Sequence, residues 1–363
     1  MDELDARADL LLAGPRGRAV CLTIAGLRPL DFLTPTGEGA GGRSDDTTIV
    51  WLSAEDLHDD ERAVVALAGA LAAISVNTLA LDEPTVTGAV ADAVSDAAYW
   101  QEPDADELLL ADPRIVDSLR PIARAVVGSP AAAWWTAGLD LDDQYFVSWL
   151  WRKRQSRADP PLLTGAAERR AGWRQDALRE ERSATDGRPP EPEAPYSGHW
   201  WSTPVFSGLV TTAPRLPDGV PAQLVFVEDP VGMDRARVAR LQPRPDIRVW
   251  EIDEPADLVD VVSRYPLAVD RARRHDWFRL TGVRGPWLIP DWAAVGVDYD
   301  AVHLTTLGYL ATAGRALPVE GGFTVLAGWE PGETWWLNDV LEQATEPSTW
   351  KQGTSGDWRQ RES

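Results

Sequence analysis

The side chains best placed for chemistry lie in three short stretches. In Ala301-Val-His-Leu-Thr305 an extended backbone would turn His303 and Thr305 to one face. An imidazole beside a hydroxyl can hold a ribose or polarise a carbonyl. In Gly328-Trp-Glu-Pro-Gly-Glu-Thr-Trp-Trp-Leu337, Glu333 stands just ahead of the Trp335-Trp336 pair, where a carboxylate could stabilise developing positive charge. His303 and Glu333 are accordingly the expected catalytic residues. The third stretch, Arg273-Arg-His-Asp-Trp-Phe-Arg279, reads as an exposed basic turn. It is the most basic spot of the C-terminal half, and Arg274 within it could receive an anionic ligand.

Tryptophan is the unusual residue. The chain has 18, and nine fall between Trp200 and Trp336, so a Trp-lined cleft is expected beside the core. If the Trp200-Trp201 and Trp335-Trp336 pairs lie in strands, one ring of each faces away from the core. Such rings would bind a planar or sugar-containing ligand, with Thr305, Tyr309, Arg274 and Asp291 as further ligand-binding residues.

Several chemistries lack their signatures. The sequence has no G-x-x-x-x-G-K-[ST], no H-E-x-x-H, no paired C-x-x-C and no G-x-S-x-G. Gly37, Gly39, Gly41 and Gly42 lack the strand-before, helix-after context of a dinucleotide fingerprint and read as a loop. The four histidines, His58, His199, His275 and His303, are far apart, and one cysteine, Cys21, cannot build a zinc cage or an internal disulfide. No metal site and no resident cofactor are expected.

The formal net charge is −22, from 35 basic and 57 acidic residues. Binding to a phosphate backbone runs on Lys and Arg, so nucleic acid is an unlikely partner class on charge alone. No apolar run approaches a membrane span, and the N-terminus has no signal-peptide pattern, so a soluble cytoplasmic protein is expected. Residues 1–150 carry 9 − 26 = −17, whereas residues 151–200 carry 10 − 8 = +2. The second stretch reads as a charged helix, either solvated or docked as a basic strut on the acidic half.

These residues need elements to position them. Acidic or proline-led starts at Asp59, Pro84 and Asp112-Pro113 predict helices in the N-terminal half, with Pro121 splitting or kinking the third. A fourth helical stretch contains Trp134, Trp135, Tyr145, Trp149 and Trp151, and Gly14-Pro15 is followed by an apolar run short enough for a buried strand. Pro189-Pro-Glu-Pro-Glu-Ala-Pro195 reads as an extended linker. Beyond it, 223–229, 247–253 and 323–329 read as strands, 253–266 as a helix, and Asp291 as the cap of another. The expected fold class is α+β: an acidic, mainly helical domain (1–188), a linker (189–197), a Trp-rich mixed α+β domain (198–345) and a disordered polar tail (346–363).

The stretches Gly198-His-Trp-Trp-Ser-Thr-Pro204, Ile289-Pro-Asp-Trp292, Val302-His-Leu-Thr305 and Gly328-Trp329, with Gly14-Pro-Arg-Gly-Arg18, resemble a widespread group of uncharacterised actinobacterial proteins. That resemblance brings no activity with it. His303-x-Thr305, Tyr309 and Glu333 also resemble, faintly, the His, aromatic or hydroxyl, and late Glu series of ADP-ribosyltransferase-like folds. The 30 residues between His303 and Glu333 are fewer than that fold places there. This second likeness implies a transferase using NAD or a similar donor, with Trp335 or Trp336 stacked on the base. The leading expectation is a Trp-lined module binding a small molecule or protein, beside an acidic regulatory or docking half. The alternatives are the transferase and an acidic protein that binds a basic partner.

Overall fold

Aspartate starts the N-terminal helices. Asp2, Asp82, Asp104 and Asp112 each accept a hydrogen bond from a first-turn backbone N–H, so part of the acidic excess is helix capping. The computed structural model describes residues 2–27, 61–150, 161–228, 230 and 232–361. The helices are α1 (Glu3–Ala13), α2 (Pro15–Ile24), α3 (Glu61–Ala72), α4 (Glu83–Ser95), α5 (Ala105–Leu110), α6 (Pro113–Val127), α7 (Ala166–Gly187), α8 (Pro255–Arg264), α9 (Asp270–Thr281), α10 (Trp292–Asp298) and α11 (Thr306–Thr312). The glycine cluster at 37–42, His58 and Trp151 lie outside the described residues.

The strands form two larger sheets. One has the order β1 (Gln144–Trp149), β3 (Arg235–Pro243), β12 (Ser348–Gln352), β13 (Trp358–Arg361), with β11 (Leu341–Gln343) also on β3. The other has the order β2 (Val210–Thr212), β10 (Thr334–Trp336), β7 (Ala301–Leu304), β4 (Val249–Ile252), antiparallel except for the β7–β4 pair. Two short pairs complete the set, β5 (Pro266–Ala268) with β6 (Leu288–Pro290) and β8 (Leu317–Val319) with β9 (Gly322–Thr324). The architecture is α+β, and no helix among the described residues is long and apolar enough to cross a membrane.

Four elements differ from the sequence reading. The apolar run after Arg18 is α2: Pro15 takes the first helical position, where its missing N–H costs nothing. Gly14 makes that corner possible, because a Cβ there would lie 2.0 Å from the Leu310 carbonyl oxygen. Helix α6 continues through Pro121. Residues 144–149 are a strand, their aromatic and β-branched side chains suiting a pleated surface, and they pair with β3 across the proline-rich segment. Residues 222–224 form a short 3₁₀ turn where a strand was expected.

The tail forms the β12–β13 hairpin, because Trp358 is buried and Trp350 packs with it against Ala236 and Val238. The expected boundary at 189–197 does not separate two cores. Leu11, Val20, Ile115 and Trp135 share one hydrophobic cluster with Phe226, Trp277, Leu304 and Leu310.

Candidate functional site

Strand alternation divides the expected catalytic pair. Thr334 is the register partner of both His303 and Thr212, and its hydroxyl lies 2.8 Å from His303 Nδ1. Glu333 precedes Thr334 and therefore turns to the other face, with Trp335 and Thr211. There Gln223 donates to the Glu333 carboxylate at 3.0 Å, and burial pushes its pKa up to about 7 against the hydrogen bonds it accepts, from Thr211 and the Glu330 N–H among others. His303 and Glu333 do not converge.

The His303 face is closed by its own chain. Trp336 donates to the Thr212 hydroxyl at 2.7 Å, Thr212 in turn to Gln144, and Leu139 N–H to Glu251 at 3.1 Å. Burial lowers the His303 pKa to about 4, opposed by the Ala137 carbonyl, and raises that of Glu251 to about 7. These groups are held by the protein's own side chains and backbone, although Glu251 Oε2 is buried without a hydrogen-bond partner among the described residues. Trp335 and Trp336 are both buried, because the sheet is covered on both faces.

The other expected ligand residues are also engaged by the protein. Thr305 leaves the strand, caps α11 through Gly308 N–H and donates to the Ile252 carbonyl, so it does not share a face with His303. Tyr309 meets Tyr99, hydroxyl to hydroxyl, at 3.1 Å in the core. Asp291 caps α10, as its position after Pro290 implies, and pairs with Arg174 at 2.5 Å. Arg274 donates to the Pro190 carbonyl at 2.7 Å. Residues 273–279 are not an exposed turn. They lie in α9, with Arg273, His275 and Asp276 buried.

Trp200 and Trp201 behave differently. They lie outside any strand and stack on one another, with centroids 4.5 Å apart and planes at 27°. Trp200 turns inward to Tyr99 and Trp100, whereas Trp201 reaches the surface edge-on to Phe206, 5.3 Å away. Three successive carbonyls fix the segment: Trp277 donates to that of Trp200, Arg273 to that of Trp201, and Trp292 to that of Ser202. Gly328 lets Trp201 lie flat, since a Cβ there would come within 2.1 Å of its ring.

Helix α7 forms the opposite wall. It docks on α9 and α10 through Arg170, Arg174 and Glu181 rather than on the acidic helices as a strut. Between it and the Trp201 segment lies a groove of about 280 Å³, lined by Arg169, Trp173, Asp176, Glu180, His199, Trp201, Phe206 and Arg273 among others. Phe206 is 80% exposed and holds a left-handed backbone, φ 62°, a conformation that costs a non-glycine residue of order 1 kcal/mol.

Glu180 is the electrostatic centre of the groove. Its carboxylate accepts from Arg188 at 2.7 Å and Arg273 at 3.1 Å, and lies 3.0 Å from His199 Nδ1. Burial would push its pKa up, but the His199, Arg273 and Arg188 contacts outweigh this and hold it at about 2. Glu180, Trp173 and Phe206 were not among the expected site residues. For Glu180 and Trp173 a signal is present, since Arg169, Trp173, Asp176 and Glu180 follow the i, i+4, i+7, i+11 stripe of one helix face.

A second cavity of about 220 Å³ in the helical half is lined by Arg16, Asp92, Asp96, Asp104, Asp106 and Glu107. Burial and the neighbouring carboxylates raise Asp106 to about 6. Among the described residues no group of three or more His, Cys, Asp and Glu side chains is arranged to hold a metal ion. Comparison with protein-family models, with curated proteins and with solved structures finds no match for this chain.

Proposed function

We propose that the protein is a cytoplasmic small-molecule-binding protein and that its ligand lies in the groove between α7 and the Trp201 segment. One observation carries this reading: Phe206 is held exposed and strained at the side of a concave site that Trp173 and Trp201 also line. Hydrophobic folding does not require that arrangement, whereas an aromatic wall for a ring-shaped ligand does. The buried, unpaired Cys21 suits a compartment without disulfides. The NAD-dependent alternative drew on His303, Thr305 and Trp335, and the protein's own hydrogen bonds and packing engage all three.

The test is thermal unfolding of the full chain against a ligand panel that includes NAD. A ligand present at 100 times its Kd adds about 2.7 kcal/mol of stability. The proposal expects at least one small ring compound to raise Tm in the wild type and in Trp335→Phe, but not in Trp201→Ala. A rise unchanged in Trp201→Ala and Phe206→Ala would place the ligand elsewhere.

A further inference from the structure

We infer that the groove takes a neutral, hydroxyl-bearing ring, a sugar rather than an anion; the inference rests on the groove being the ligand site. The polar atoms the protein has already used limit what a ligand can meet there. Arg169 donates its two terminal nitrogens to the Thr164 and Leu162 carbonyls, and its Nε is shut off from solvent. Arg273 donates to Glu180 and to the Trp201 carbonyl. Both arginines that line the groove are thus engaged by protein acceptors, which weakens them as an anion clamp. Glu180 is engaged by three donors.

What is left for a ligand is mainly acceptor. Glu180, held as a carboxylate, takes the Nδ1 proton of His199, so in the neutral ring Nε2 keeps its lone pair. The His199 side chain is 54% exposed, and among the described residues no hydrogen bond reaches Nε2. Asp176, on the same wall, pairs only with Arg179 among the described residues, and both are exposed. Trp201 and Phe206 supply apolar surface together on one side of the imidazole, with centroids 5.6 and 6.4 Å from it and 5.3 Å from each other. Apolar surface with lone pairs beside it suits a ring that presents C–H surfaces and donates O–H groups at its edge. At about 280 Å³ the space is just below the roughly 300–1,000 Å³ of ligand pockets, room for about one ring.

The experiment is calorimetric titration of the full chain with methyl glucoside, maltose, cellobiose and diacetylchitobiose. Their fully O-methylated forms, glucose 6-phosphate and inorganic phosphate are titrated in parallel. The expected result is binding of at least one neutral sugar, lost on O-methylation. Affinity should fall at least tenfold in Trp201→Ala, and about fivefold in His199→Ala, the equivalent of one hydrogen bond. Nitrogen-15 spectra of the imidazole should show the Nδ1–H tautomer in the wild type. The inference is overturned if no neutral sugar binds, if the O-methylated forms bind equally well, or if the tautomer is Nε2–H. A phosphate-bearing or donor-free ligand whose binding is lost in Trp201→Ala would overturn the sugar class and leave the groove as the site. A ligand whose binding ignores both Trp201 and Phe206 would remove the two together.

Discussion

The β7–β10 sheet and the α7 groove are built from the same kinds of residue: a histidine, a carboxylate and tryptophans. In the sheet these groups are closed off from solvent, and His303 ends between Thr334 and the Ala137 carbonyl and Trp336 on Thr212. In the groove the carboxylate is satisfied but the second histidine nitrogen, two tryptophans and one phenylalanine remain open. Residue type does not separate a core from a site here. Unused valence that solvent can reach does.

The largest expected effect belongs to the sheet. Trp336→Ala removes a fully buried ring and the N–H bond to Thr212, and should cost about 3–5 kcal/mol in denaturant unfolding. A cost under about 1 kcal/mol would mean that this ring is not core.

The pH dependence of stability comes next and also reports on the sheet. The folded pKa of His303, about 4, lies below its ordinary 6.5, so the unfolded chain binds the proton more readily. Stability is full above 6.5 and falls as pH drops towards 4, by about 3 kcal/mol for a shift of that size. Glu251 acts in the opposite direction. Raised to about 7, it is favourable below 4.5 and loses that contribution as pH rises through 7. Urea unfolding at pH 4, 5.5 and 8 should therefore lose its acid slope in His303→Gln and part of its alkaline slope in Glu251→Gln. Unchanged slopes would show that these groups are open to solvent.

Much of this frame was legible. Asp291 after Pro290 marked a helix start, and Leu258, Val261 and Val262 marked the buried face of α8. His303 was rightly placed in a strand. What failed depended on long-range pairing. Thr305 and His303 share a face only if the strand continues, and it stops at Leu304, where Thr305 begins α11. The tail has no local apolar pattern, and its two tryptophans find their surface on β3, over 100 residues away. The groove was hidden for a similar reason. Glu180 and His199 lie 19 residues apart on either side of a proline-rich segment, and α7 looked like a charged surface because its face is held by ion pairs rather than apolar contacts.

Two smaller effects sharpen the contrast from the groove side. Gly328→Ala puts a methyl against the Trp201 ring at φ 71°, and should cost about 2 kcal/mol while weakening ligand binding at least tenfold. Phe206→Gly should leave stability within about 1 kcal/mol of the wild type, or raise it by relieving the left-handed strain, and should still lose binding. A clear loss of stability in Phe206→Gly would make Phe206 a packing residue.

The most direct measurement is the indole N–H spectrum of the nitrogen-15-labelled full chain, titrated with the sugar that binds in the calorimeter and assigned by single Trp→Phe substitutions. The account predicts that the Trp173 and Trp201 signals move while those of Trp335 and Trp336 stay in place. Movement of Trp335 and Trp336, with Trp173 and Trp201 unchanged, would contradict it and return the site to the sheet.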